Sequence, residues 1–137
     1  MKSVHLDAIA ATRVEGTLWK PIRSTLGVRA FGVNAYIAEA AGDVLFQEHD
    51  ETEGLAGRQR HEELYIVLSG RAIFNGSLEA PAGTLVFFDD PAERRGARAA
   101  EAGTTVLAVG GPVGEAYEPG PWEAIFLERR ARESGGA

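Results

Sequence analysis

Apolar and polar residues alternate through Phe31-Gly-Val33-Asn-Ala35-Tyr-Ile37, which predicts a β-strand with one buried face. A Gly42-Asp43 turn leads into Val44-Leu45-Phe46, so these two segments read as a hairpin. Residues 48–60 are polar and punctuated by glycine, and they read as a loop. The run Glu63-Leu-Tyr-Ile-Val-Leu68 follows, apolar on both faces as in a strand covered from two sides. Ser69-Gly70 turns it into residues 71–74, and Asn75-Gly76 is a strong hairpin signal. Ala80-Pro-Ala-Gly83 interrupts the chain before a strand over 84–88, a charged loop over 89–98 and a last strand over 104–109, stopped by Gly110-Gly-Pro112. Short strands at intervals of about ten residues predict an all-β sandwich or barrel.

The two ends follow other patterns. Residues 17–26 read as an edge strand or a short helix, with Pro21 blocking a choice between them. Trp122, Ile125 and Phe126 stand at helical spacing, with arginines in the following turns, and predict an amphipathic C-terminal helix over 121–132 and a frayed tail over 133–137. The chain therefore divides into an N-terminal extension (1–30), a β-barrel (31–112) and a C-terminal segment (113–137).

Composition narrows the chemistry. The chain of 137 residues suits one globular domain. It has no cysteine, which excludes disulfides, thiolate catalysis and iron–sulfur clusters and leaves His, Asp and Glu as the ligands for any metal. Acidic residues outnumber basic ones 20 to 14, a balance that argues against nucleic acid as a partner. The longest apolar runs, 64–68 and 85–88, fall far short of the roughly 20 residues of a spanning helix. Without a membrane span or a leader-like apolar start, the expected location is the cytoplasm.

Glu63-Leu-Tyr-Ile-Val-Leu-Ser-Gly70, with its Glu-x6-Gly spacing, and Ala80-Pro-Ala-Gly83-Thr-Leu-Val-Phe resemble the conserved barrel of the cupin superfamily over residues 31–110. The resemblance implies a double-stranded β-helix, the jelly-roll barrel, whose lumen holds a divalent metal on three histidines and a glutamate. Carried across, Gly42 takes the first glycine, Glu63 the metal-binding glutamate, Gly70 the closing turn and Gly83 the glycine opening the second motif. The first two histidine positions fall on Glu48 and Asp50, with twelve residues before Glu63 where three or four are usual. Asp89 and Pro91 replace the proline and glycine, Arg94 takes the third histidine's place and Arg98 that of the asparagine.

Period-two alternation puts His61, Glu63, Tyr65 and Val67 on one face of their strand, expected to be the lumenal one. A guanidinium cannot ligate a metal, so Arg94 is expected to replace it and to pair with Glu63 bidentately. This leads to a small-molecule-binding barrel, metal-free, with Glu63, Arg94, His61 and Tyr65 as ligand-binding residues and His61 as a possible general base. The competing expectation is a metal-dependent enzyme holding iron, manganese, zinc or nickel on a rearranged set of His49, His61, Glu63 and Glu48. A homodimer is expected, with Trp122 and Phe126 as interface anchors.

Overall fold

The computed structural model describes residues 1–52 and 59–135. After a turn of 3-10 helix at Leu6–Ala8, the chain forms β1 (Thr12–Val14), β2 (Thr17–Lys20), α1 (Ile22–Leu26), β3 (Gly32–Ile37), β4 (Val44–His49), β5 (His61–Ser69), β6 (Arg71–Phe74), β7 (Leu78–Pro81), β8 (Leu85–Phe88), β9 (Arg95–Ala99), β10 (Thr105–Pro112) and α2 (Pro121–Gly135). Two sheets result, ordered β1-β2-β3-β10-β5-β8 and β4-β9-β6-β7. All their pairings are antiparallel.

Alternation on the strands fills the space between the sheets. Tyr65 and Val67 of β5, Phe46 of β4, Phe74 of β6, Phe88 of β8 and Val106 of β10 interdigitate there with buried alanines. Phe46 and Tyr65 stack at 4.7 Å between centroids. At the β5–β6 turn Gly70 has φ +72, and a Cβ there would stand 2.7 Å from Thr104 Cα, so only glycine fits. Asn75 and Gly76 both take positive φ, as the tight β6–β7 hairpin requires.

Several expectations change. The N-terminal extension supplies β1 and β2 to the larger sheet, and residues 17–26 form both a strand and a helix, with Pro21 as the break between them. The stretch read as a charged loop over 89–98 contains the start of β9, a central strand of the smaller sheet. Its inward positions are filled by Arg95, Ala97 and Ala99, too small or too polar to show a hydrophobic period. The punctuation at Ala80 and Pro81 lies within β7. Helix α2 continues to Gly135, through part of the expected tail. Of the expected loop 48–60, residues 53–58 lie outside the described residues. Among the described residues no helix is long and apolar enough to cross a membrane.

Candidate functional site

The lumenal face of β5 turns His61, Glu63 and Tyr65 into a cavity of about 290 Å³ between the sheets. The smaller sheet contributes Leu45, Phe46, Gln47 and His49 from β4, followed in the chain by Asp50 and Glu51. Trp122 and Phe126 of α2 close part of the wall and meet Trp19 edge-on, at 6.1 and 5.3 Å between centroids. Opposite Glu63, β10 carries Gly110, whose absent side chain leaves room for Glu63 itself: a Cβ there would lie 2.9 Å from Glu63 Cγ.

Glu63 Oε1 accepts hydrogen bonds from the Tyr65 hydroxyl and from Arg95 Nη1, both at 2.9 Å. Arg95 is 0% exposed. Its Nε donates to Glu93 O (3.0 Å) and its Nη2 to Glu93 O and Asp90 O (both 2.8 Å), and its guanidinium lies 4.6 Å from the centre of the Phe88 ring. The cation expected from Arg94 thus comes from the next residue. Arg94 points outward, 60% exposed, to Glu48 at 2.7 Å and Asp50 at 3.9 Å. One step along a strand reverses the direction of the side chain, so of two adjacent arginines only one can enter the barrel. Glu48 leaves the candidate ligand set for the same reason.

Glu51, which the sequence did not single out, takes its place. His49 Nε2 lies 3.0 Å from Glu51 Oε1 and 3.9 Å from Glu63 Oε1, while its Nδ1 is 2.8 Å from Gln47 O. Burial works against a charged His49 ring, but the bonds to Glu51 and Gln47 and the nearby Glu63 charge outweigh it and raise its pKa. Burial likewise disfavours a charged Glu51, yet hydrogen bonds from His49 and Glu63 hold its pKa below the ordinary value. Glu63 is pushed up to about 7, first by burial and then by the Glu51 charge, with Arg95 pulling only partly the other way. Two neighbouring carboxyls with opposite shifts can divide the roles of acid and base between them.

His61 stands further along β5, its Nδ1 3.7 Å from Glu51 Oε2 and its ring 5.5 Å from that of Tyr117. Burial lowers its pKa, so it is neutral at pH 7. His49, Glu51 and Glu63 can each offer a ligand atom, all within 4.8 Å of one another, and one imidazole with two carboxylates suits a divalent transition metal. His61 is not part of this group. Such an ion would share the Glu63 carboxylate with the guanidinium of Arg95, already bonded to Oε1.

No protein-family model and no curated protein matches the sequence. Solved structures do match the fold. An uncharacterized double-stranded β-helix protein from Klebsiella pneumoniae superposes with a TM-score of 0.62 at 16% identity, over 86% of this chain and 98% of the other. A predicted oxalate decarboxylase from Thermotoga maritima gives 0.60 at 17% identity, over 80% and 97%. Pac13, a nucleoside dehydratase, gives 0.54 at 18% identity, over 80% and 81%. Together with the two-sheet barrel and its lumenal cavity, these likenesses define a double-stranded β-helix protein. The same fold is found in an RmlC-like cupin protein from Desulfovibrio desulfuricans and in this dehydratase.

Proposed function

We propose that the barrel binds a small polar molecule and moves protons on it with the Glu51 and Glu63 carboxyls, in an isomerisation or elimination that needs no metal. The observation that carries this reading is the buried contact of Arg95 with Glu63 Oε1, which supplies the positive charge a metal would otherwise bring. Protonated Glu63 is the acid and ionised Glu51, steadied by His49, is the base. One takes a proton from the bound molecule and the other returns one, so the protein ends the cycle with its charge unchanged. A dehydratase among the proteins with this fold supports the class of reaction. His61, neutral and at the edge of the cluster, has the role of a ligand contact. Association into a homodimer belongs to the same reading.

A second reading is favoured by the His49, Glu51 and Glu63 cluster: a divalent cation held there would polarise a substrate oxygen. Carbon-detected NMR of the glutamate carboxyls separates the two, with metal content counted on protein purified without chelators. The proton-transfer reading expects Glu63 to titrate near 7, the E51Q variant to shift that midpoint downward, and no bound metal. A Glu63 midpoint in the ordinary carboxylate range overturns it, and near-stoichiometric metal that is lost in E51Q establishes the alternative. The sign of the stability effect is also set. Between the unfolded carboxyl value of roughly 4.3 and about 7, folded Glu63 keeps a proton that the unfolded chain has released. Its contribution to stability therefore falls as pH rises through that window, and E63Q removes this slope.

A further inference from the structure

The charge of the cavity wall selects the kind of molecule it can take. Four acidic side chains line it, Glu15, Asp50, Glu51 and Glu63, and among the described residues no lysine or arginine does. Arg95 reaches Glu63 from behind with every contact spent on the protein itself. A bound anion would meet no permanent positive charge, only the imidazole of His49, which is already turned to Glu51.

Two polar atoms on the same wall have no partner among the described residues: Asn34 Oδ1 and His61 Nε2, on side chains only 6% and 8% exposed. Buried polar atoms cost free energy until something bonds to them. Asn34 Oδ1 is an acceptor, and so is His61 Nε2 in the tautomer that carries its proton on Nδ1, the nitrogen facing the Glu51 carboxylate from 3.7 Å. The strand register separates them along the floor. Asn34 is level with Ala108 and Tyr65, Glu63 with Gly110 and Gly32, and His61 with Pro112, so the reactive carboxyl lies between the two acceptors.

We infer that the cavity takes a small aliphatic amine in its protonated form, carrying a second hydrogen-bond donor at its other end. This deepens the proposed function and rests on the same cavity. An ammonium group has three donors and no acceptor, matching a wall of carboxylates and lone pairs. The rings of Tyr36, Phe46, Trp122 and Phe126 in the same lining favour a cation over an anion.

Calorimetric titration of the full chain with three probes of one carbon skeleton tests this: butane-1,4-diamine, butane-1,4-diol and succinate. The diamine is expected to bind at least about tenfold more tightly than the diol, and succinate not at all. N34L and H61F each weaken diamine binding by about fivefold or more while circular dichroism stays native. Because N34L removes an unpartnered buried atom, its thermal midpoint does not fall. Succinate binding as tightly as the diamine, none of the three binding, or diamine binding unchanged in both variants would each overturn the inference; the last would mark mere attraction to an acidic surface. Succinate binding leaves the carboxyl pair standing, whereas a Glu63 that fails to titrate near neutrality refutes that pair without touching the charge selection.

Discussion

At the scale of single residues the site turns on Arg95, a guanidinium with no exposed surface whose only carboxylate partner among the described residues is Glu63. Removing Arg95 strips the buried oxygens of Glu63, Glu93 and Asp90 of their donor, and buried acceptors left unpaired cost roughly 1–3 kcal/mol. R95M is therefore expected to lower unfolding free energy by about that amount in urea titrations and to raise the Glu63 midpoint further. R94A, whose side chain touches Glu48 at the surface, is expected to leave the urea midpoint where it was. Equal effects of the two would show that Glu63 does not depend on the buried arginine. Which arginine entered the lumen was hidden in the sequence because β9 reads Arg-Gly-Ala-Arg-Ala, with no large apolar residue to mark the inward face. On β5 the alternation was plain, and His61, Glu63 and Tyr65 do share the lumenal face. Glu51 was concealed among the acids of 48–53; its one legible signal was the two-residue step from His49, which keeps both side chains on the same side.

At the scale of elements, α2 is held by more than its apolar stripe. Its helical spacing was legible, but the expected buried set of Trp122, Ile125 and Phe126 is met only in part, since Ile125 is 42% exposed. Glu123 is buried instead, and Arg23 Nε of α1 bonds both of its oxygens at 2.8 and 2.9 Å. A charged residue inside a helix face cannot be read from hydrophobic period, and its partner lies 100 positions away. Trp122 and Phe126 of the same helix line the cavity, so this ion pair positions part of the wall. E123A is expected to cost about 3 kcal/mol and to speed amide exchange in α2 ahead of the central strands β5 and β10. Exchange that quickens uniformly across the barrel would mean that the helix and barrel open as one unit.

At the scale of the whole molecule, the barrel was legible because its turns and strand periods agree, whereas the two side chains expected to anchor a second copy turn inward. Trp122 and Phe126, expected at a dimer interface, face Trp19 and the cavity. The outer face of β8 and β5 offers the alternative. Leu85 and Phe87 are 64% and 55% exposed, and the register sets them beside Ile66 and Leu64. Strand β8 ends the six-stranded sheet, and among the described residues no strand pairs with its outer edge. An open edge joined to an apolar face suits a second copy placed by a twofold axis, because the same strand then supplies both the hydrogen-bonding edge and its complement. Sedimentation velocity at micromolar concentration is expected to show a particle of twice the 14.6 kDa chain. F87E, which sets like charges against each other across the axis, is expected to return it to the monomer with the barrel intact. A wild-type chain that sediments as a monomer removes the dimer altogether, and a dimer indifferent to F87E moves the interface away from β8.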